Sequence, residues 1–301
     1  MSARLLSLRP GDLLTIAFSL FLLGLTAVFH AKIPLAGNLL LIFASLLFFQ
    51  VVLVFISRRN PFLTLTRDLL FPVLCVLIIF DALGLIVHTI NPHDWDYLLI
   101  RLDYLLFGGY PTVLLERLMH PVLTDILQVA YSTYYFLPVA LGVTLKLRGQ
   151  REEFEYALFL ILLCFYLSYA GYLLVPALGP RYAIEHLHAG ELEGFLVAKP
   201  IQDFLNRLEG VKRDAFPSGH TGIALTVLYL SYRSARDLFR LLLVPVLLLI
   251  VATVYCRYHY AVDVLGGVLL TVVTAVSGGV YYTLRQKKQC DQEDTLPCRR
   301  G

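Results

Sequence analysis

Charge is scarce in this sequence. Asp, Glu, Lys and Arg make up only 16% of the 301 residues, and the formal net charge is +3. A net charge this small gives no electrostatic reason to expect a nucleic-acid partner. Hydrophobic residues make up 58%, against about 45–50% in ordinary soluble domains, and they are gathered into blocks. The composition excludes a soluble fold and predicts an all-α, polytopic membrane helix bundle.

Cysteine is also scarce, and its spacing is irregular. None of the five cysteines forms a pair with zinc or redox spacing. Glu185, His186 and His188 come nearest to a metal cluster, but alternating loop residues without a second cluster are usually just solvated. The sequence therefore predicts no metal site and no other cofactor.

No soluble domain is visible between the apolar blocks. A membrane-spanning helix needs about 20 apolar residues, and most of the blocks are close to that length. Eight spans are predicted, of which the sixth is short: 12–30, 35–57, 69–90, 121–145, 154–176, 218–232, 239–256 and 260–284. No small-residue cleavage site follows the first block, which predicts a retained span. The polar residues 285–301 are expected to form a flexible tail.

The positive residues predict the orientation. With the N-terminus inside, the inner segments hold 16 of the 25 Lys and Arg residues. Both termini are then cytoplasmic, and the loop 177–217 and the surroundings of His259 lie on the outer side. The absence of a long signal favours a bacterial inner membrane over an internal eukaryotic one.

The stretch 91–120 joins the third and fourth spans on the outer side. Its apolar residues recur at helical spacing among acidic ones, from Trp95 to Phe107. This pattern predicts an amphipathic helix lying in the membrane interface, ended by Gly108 and Pro111.

The first chemical motif is Pro217-Ser218-Gly219-His220 at the mouth of the sixth span. Ser218 is a good N-cap, and free N–H groups at a helix start bind anions. Gly219 would let a ligand approach the backbone closely. His220, in the first turn, would be able to protonate a leaving oxygen of a bound anion. The alternative interpretation is a capped membrane helix whose interfacial histidine has no catalytic role.

The second motif is His259-Tyr260-Ala261-Val262-Asp263 at the mouth of the last span. Residues four apart on a helix share a face, so Asp263 is expected to accept a proton from one ring nitrogen of His259. The other nitrogen is then free to act as a nucleophile on phosphorus.

The order of these motifs, separated by one hairpin of two spans, resembles the type 2 phosphatidic acid phosphatase superfamily. The resemblance covers about residues 69–284 as a six-helix core, with residues 1–68 as two added spans. It implies that His220 is the acid, His259 forms a phosphohistidine and Asp263 orients His259.

The sequence departs from the phosphatase pattern at two places. That pattern has Lys-x6-Arg-Pro, whereas residues 174–181 lack the lysine and only Arg181 matches. It also has an arginine six residues before the nucleophile, where this chain has Thr253. Arg257 lies one helical turn later and is expected to reach the same phosphate, unless it only extends toward the membrane surface.

These departures, together with Asp103, Pro111 and the tyrosines around His259, look more like the inositol phosphorylceramide synthase branch. That branch implies transfer of a phosphoinositol head group from a phospholipid donor to a lipid alcohol acceptor in sphingolipid metabolism, whereas water would be the acceptor in a phosphatase. A phosphodiester carries one negative charge, so a site with few fixed cations suits it. Lys212 and Arg213 are further candidate cations, or else ordinary solvated loop residues.

Two readings remain open beside the transferase. One is a lipid phosphatase acting on phosphatidate or polyprenyl (pyro)phosphate. The other is a proton-coupled transporter that uses His259 and Asp263 as a relay. The absence of a clear internal repeat counts against the transporter.

Two weaker candidates lie within spans. Asp81 lies in the middle of the third span, where an ionisable group needs a partner. It is expected either to contribute to the substrate site or to form a structural hydrogen bond with a tyrosine. Tyr131, Tyr134 and Tyr135 share one face of the fourth span, where core packing is favoured over head-group binding.

Overall fold

The computed structural model describes residues 8–57, 60–190, 192–208 and 211–294. This described part is all helical and contains no β-strand, which confirms the predicted fold class. The α-helices are Pro10–Val28 (α1), Ala36–Ile56 (α2), Pro61–Leu65 (α3), Phe71–Ile90 (α4), Asp96–Phe107 (α5), Pro111–Leu114 (α6), Pro121–Ser132 (α7), Leu137–Leu147 (α8), Arg151–Leu174 (α9), Pro180–Ala183 (α10), Ala198–Leu208 (α11), Gly219–Ser234 (α12), Arg236–Tyr255 (α13) and Ala261–Asp294 (α14). A π turn joins α3 to α4, and short 3₁₀ turns follow α6, α7 and α10.

Six segments of the described chain are long and apolar enough to cross a membrane: α1, α2, α3 with α4, α9, α13 and α14. They correspond to the predicted first, second, third, fifth, seventh and eighth spans. Two bent pairs raise the number to at most eight: α5 with α6 and its 3₁₀ turn (57°), and α7 with α8 (52°). The second pair is the predicted fourth span, and it breaks near Pro138, which lacks the N–H needed to continue the ladder.

The predicted sixth span is a shorter helix than its neighbours. α12 has 16 residues, which is about 24 Å of helix and less than the roughly 30 Å of a bilayer core. It packs against α9, α13 and α14, and most of its residues are buried. The helix that follows the Ser-Gly-His sequence is therefore enclosed by protein.

Buried ion pairs fasten the first two helices to the rest of the bundle. α1 packs on α2 and α9. Near the start of α1, Asp12 forms a salt bridge with Arg67. Close by, Asp68 binds both Arg9 and Lys146. Arg67 and Asp68 lie in the π turn that leads into α4, and Lys146 lies in α8, so these contacts join the start of α1 to helices that follow α2.

The predicted interfacial helix exists as α5, and it ends at Gly108, whose φ of +70° suits glycine. Its faces are the reverse of those expected for a simple amphipathic helix. Asp96 and Asp103 are buried, whereas Tyr97 and Phe107 are exposed. The acidic face points into the protein because it binds backbone N–H groups there, as described below.

The last helix extends further than predicted. α14 continues to Asp294, although the tail was expected to begin at Arg285. Residues 285–294 contain no Gly or Pro and several good helix formers, so nothing in them ends the helix. Residues 295–301, and the charged residues Arg4, Arg58 and Arg59 used for the orientation, lie outside the described residues.

Candidate active site

Two histidines from separate motifs face each other in the structure. His220 lies in the first turn of α12, and His259 lies in the loop between α13 and α14. The Nε2 atom of His259 is 3.4 Å from the Nδ1 atom of His220. Both side chains are buried, with 8% and 3% exposure. The fold thus brings together the two motifs that the span order placed on one side of the membrane.

A backbone carbonyl fixes the protonation pattern of His259. Its Nδ1 atom is 2.8 Å from the carbonyl oxygen of Ala215. Because a carbonyl oxygen only accepts hydrogen bonds, Nδ1 must carry the proton. In the neutral ring the lone pair is then on Nε2, the atom that faces His220. The imidazole presents its nucleophilic nitrogen to the centre of the site.

Asp263 does not hold His259 in the way predicted. Its Oδ2 atom is 3.7 Å from Nδ1 of His259, beyond hydrogen-bond distance. The same oxygen accepts a 2.7 Å bond from the backbone N–H of Tyr260, and the carbonyl of Asp263 accepts one from Ser218 N. The i, i+4 argument assumed a helix from His259 onward, but α14 begins at Ala261. Asp263 therefore closes the turn that carries His259.

The surroundings of His259 favour its neutral form. Burial lowers the pKa of His259, and the positive charge of Arg181 lowers it further. The charge of Asp214 and the bond to Ala215 act in the opposite direction, but they do not outweigh burial. A neutral imidazole at ordinary pH is the state that a nucleophile requires.

Aromatic rings enclose His220. Tyr131 stacks on it with ring centroids 4.4 Å apart, and Tyr134 lies 4.1 Å away. The face of tyrosines predicted on the fourth span thus packs around a histidine of the site. The Nε2 atom of His220 is buried and has no hydrogen-bond partner among the described residues. A buried nitrogen of this kind is available to a bound substrate.

The start of α12 is capped as predicted, and its glycine packs closely against a tyrosine. The Ser218 Oγ atom accepts a 3.2 Å hydrogen bond from the N–H of Thr221. A Cβ atom on Gly219 would come within 2.4 Å of the hydroxyl of Tyr172. Glycine therefore allows the close approach of this tyrosine, and the approach of a ligand to Gly219 stays a prediction.

Two predicted phosphate-binding cations are bound to acidic partners. Arg257 donates to Glu116 at 2.9 Å and to the carbonyl of Gly190 at 2.7 Å. It has a φ of +62° and lies beyond the end of α13, so the expectation that it follows Thr253 on a helix was wrong. Arg213 forms a two-point ion pair with Asp94 at 2.6 and 3.1 Å.

The other two predicted cations lie on aromatic rings. The guanidinium of Arg181 lies 4.9 Å from the ring of Tyr182 and 5.0 Å from that of Tyr258. The ammonium of Lys212 lies 5.8 Å from the ring of Tyr182. Arg181 is the cation whose charge reaches His259. It is the predicted phosphate ligand with the strongest structural support.

Two acids that sequence reasoning did not place in the site hold its loops. Asp103 accepts hydrogen bonds from Ala261 N at 3.0 Å and Val262 N at 2.8 Å, at the start of α14. Asp96 accepts from the N–H groups of residues 178 and 179 and from the hydroxyl of Tyr260 at 2.8 Å. The two acids are seven residues apart, which is two turns of one helical face. That spacing was the available signal.

Asp81 is separated from the histidine pair along α4. It lines an apolar cavity whose walls also include His220 and Asp214. The predicted alternative, a hydrogen bond to a tyrosine, is not formed with any described residue. The carboxylate is exposed to the cavity.

No group of three or more possible metal ligands occurs within the described ranges. Of the residues considered as a metal cluster, His188 contacts the hydroxyl of Thr112 at 3.2 Å. The prediction that the site needs no metal stays a prediction.

Comparison with known proteins gives a family match over a range that includes both histidines. The PAP2 superfamily matches residues 98–277. A "PA-phosphatase related-family protein" of Dictyostelium discoideum is 28% identical over 120 residues, which is 39% of this chain. The matched part is only 22% of that relative's length. No solved structure matches the chain.

Proposed function

The chain belongs to the PAP2 superfamily, and we propose that it is a membrane lipid phosphotransferase with a histidine nucleophile. The observation that carries the proposal is the bond from His259 Nδ1 to the carbonyl of Ala215, which turns Nε2 toward His220. The bundle of apolar helices supports lipid substrates in a bilayer. No described feature requires a metal or cofactor for this reaction.

The proposed reaction has two steps. In the first, Nε2 of His259 attacks phosphorus, and the bond from phosphorus to the departing lipid oxygen breaks. His220, protonated in the substrate complex, gives its proton to that oxygen. In the second, an acceptor hydroxyl returns a proton to His220, and its oxygen attacks phosphorus. The nitrogen–phosphorus bond then breaks, and both histidines return to their starting states.

The charges around the site favour a phosphodiester. Of the four predicted cations, Arg213 and Arg257 are neutralised by Asp94 and Glu116. Arg181 and Lys212 lie on the side of Tyr182. The fixed positive charge near the histidines is therefore small for the nearly double negative charge of a monoester, and it suits the single charge of a diester better. We therefore favour transfer of a phosphoinositol-type head group from a phospholipid to a lipid alcohol.

The second candidate is hydrolysis, in which water resolves the phosphohistidine and phosphatidate or a polyprenyl (pyro)phosphate is the substrate. The name of the Dictyostelium relative, a "PA-phosphatase related-family protein", favours this alternative. The superfamily match counts against a proton-coupled transporter. From the distribution of positive charge, we propose that both termini are cytoplasmic and that the site lies on the outer side of the membrane.

The test uses purified full-length protein and its His259→Ala variant in mixed micelles. Phosphatidylinositol with a lipid alcohol is offered in one reaction and phosphatidic acid in another, and products are identified by mass spectrometry. We expect a phosphoinositol-bearing acceptor lipid from the wild type and none from the variant. Inorganic phosphate from phosphatidic acid, with no transfer product, would establish the phosphatase and refute the diester argument.

A further inference from the structure

Helix α11, which precedes the Pro-Ser-Gly-His motif, is amphipathic. Successive residues of an α-helix are about 100° apart around its axis. Over residues 198–205 this spacing separates the side chains into two sides. The polar side holds Lys199, Gln202 and Asp203, and the apolar side holds Ala198, Pro200, Ile201, Phe204 and Leu205. A short helix with one strongly polar side and low overall hydrophobicity is typical of helices that lie in a membrane interface.

The protein covers only part of the apolar side of α11. The helix packs on α7, and Ala198 and Leu205 are buried there. Pro200 and Phe204 lie on the same apolar side but outside this contact, and Phe204 is 60% exposed. The apolar side of α11 is therefore wider than the surface of α7 that it packs against.

Two more apolar side chains extend the uncovered surface just before the helix begins. Phe195 and Leu196 are 70% and 71% exposed. We call Phe195, Leu196, Pro200 and Phe204 the apolar edge of α11. Large apolar side chains gathered at the surface of one short segment indicate a contact with a membrane or another protein.

Asp125 of α7 fixes the height of the apolar edge. Its carboxylate accepts hydrogen bonds from Leu196 N at 2.7 Å, Val197 N at 3.1 Å and Ala198 N at 2.8 Å. α7 begins at Pro121, so Asp125 lies about 6 Å along the helix from that end. The start of α11 is therefore held one helical turn below the end of α7, rather than beyond it.

The face of α7 beside Asp125 identifies what covers the apolar edge. Val122, Ile126 and Val129 share one face of α7 and are all exposed. α7 and α8 together form a bent candidate membrane span, so this exposed apolar face is expected to contact lipid. The apolar edge continues the same surface at the end of the span. This continuity favours lipid over a second protein as its partner.

We propose that the apolar edge of α11 is a membrane anchor. It inserts into the leaflet on the histidine side of the bilayer, at the boundary between head groups and acyl chains, while Lys199 and Asp203 face the water. The partner is the lipid surface itself, and the proposal does not depend on which reaction the protein catalyses.

The covered side of α11 connects this anchor to the site. Leu205 lies in an apolar cluster that includes Tyr131, and Tyr131 stacks on His220. An inserted apolar edge holds α11 between the membrane and this cluster. The anchor therefore keeps a wall of the site in place.

The first test measures the depth of α11 with a matched pair of tryptophan variants. Phe204→Trp is on the apolar edge, and Asp203→Trp is the adjacent residue on the polar side. The chain has a single tryptophan, Trp95, whose emission in the parent protein is subtracted. The full-length proteins are placed in phosphatidylcholine nanodiscs and quenched either by aqueous iodide or by phosphatidylcholine brominated near the carboxyl end of its acyl chain.

We expect the brominated lipid to quench Phe204→Trp several-fold more than Asp203→Trp, and iodide to show the reverse order. Equal quenching of both variants by iodide would place the apolar edge in water. Protection of Phe204→Trp from both quenchers would place it against another protein chain. Either of these two results would overturn the proposal.

The second test measures what insertion does to α11. Amide hydrogen exchange is followed in nanodiscs for the parent protein, Phe204→Ser and Asp203→Ser. Phe204→Ser should increase exchange in α11 several-fold, because the helix loses its hold on the membrane, whereas Asp203→Ser should leave it unchanged. An equal increase in both variants, or none in either, would contradict anchoring by the apolar edge.

Discussion

Buried charge is handled differently at the two ends of α9. At the end that begins with Arg151, Asp12 and Asp68 bind Arg and Lys side chains from other helices. At the end near Tyr172, Asp96 and Asp103 bind backbone N–H groups of the loops that carry the site. One end joins helices by ion pairs, and the other uses acids to fix backbone.

The difference depends on whether the side-chain atoms at each end must stay available to a substrate. When a buried carboxylate is paired with a cation, its charge is already neutralised, and the pair serves to hold two helices together. Acids that bind backbone position His259 without occupying the imidazole nitrogen that faces His220. In the described structure, His220 Nε2 and one oxygen of Asp263 keep no hydrogen-bond partner. Among the same residues, buried atoms without a partner also occur at the other end, at Arg67 Nε and Gln150 Oε1. The facing pair of His220 and His259, rather than the lack of a partner alone, marks the end where a substrate is expected to bind.

The largest expected effect comes from removing the nucleophile. His259→Ala should lower turnover by at least ~10⁴-fold, as loss of a nucleophile does in other enzymes. Thermal stability should fall only modestly, since the variant loses one hydrogen bond to the Ala215 carbonyl and the packing of one buried ring, so turnover is compared per folded molecule. Head-group transfer and unfolding are measured on the same preparation. Retained activity would refute the mechanism.

The next effect is on stability and belongs to the other end of α9. Asp12→Ala leaves the Arg67 guanidinium buried without its partner, which should cost about 3 kcal/mol in the free energy of unfolding. Reversible SDS unfolding measures this, and activity per folded molecule should stay constant. Asp237→Ala is the matched control, because its ion pair with Arg148 is exposed and should contribute nothing measurable. Equal destabilisation by both variants would contradict the comparison.

Asp263→Asn should have a smaller effect on turnover than loss of a catalytic-triad aspartate, which costs ~10⁴-fold. The Ala215 carbonyl already fixes the tautomer of His259, and Asn can still accept from Tyr260 N. We expect roughly a tenfold loss, as for groups that act through another ligand. A loss near ~10⁴-fold in kcat would show that Asp263, not Ala215, orients the imidazole.

The smallest expected change is in the pH profile. Because the pKa of His259 is lowered by burial and by Arg181, the acid limb of kcat/KM should lie below pH 6.5, the ordinary histidine value. Activity is lost as the pH falls through the lowered pKa and His259 becomes protonated. Arg181→Met removes a positive charge and should move this limb upward. Arg257→Met, whose charge is paired with Glu116, should leave it in place.

Local patterns predicted the parts of the site that depend on neighbouring residues. Ser218 was identified as an N-cap from the sequence around it, and the order of the spans placed His220 and His259 together. Long apolar runs located the six long helices because burial in lipid requires about 20 such residues. These features need no knowledge of distant contacts.

The parts that were missed depend on distant backbone. The partner of His259 is the backbone carbonyl of Ala215. Every residue has such a carbonyl, so the residue type at position 215 could not identify the partner. Arg257 was placed on a helix because the residues around it include no Gly or Pro to indicate that α13 ends at Tyr255. Asp103 was read as part of an amphipathic surface, and only the position of α14 shows which face of α5 is buried.

The most direct test of the central claim is detection of the covalent intermediate on His259. The full-length protein is incubated with phosphatidylinositol in the absence of an acceptor alcohol, quenched in alkali and digested for peptide mass spectrometry. The proposed mechanism predicts a phosphoinositol group on His259, lost when a lipid alcohol is added before the quench. An adduct on another residue, or none on His259 in protein that is active in transfer, would contradict it.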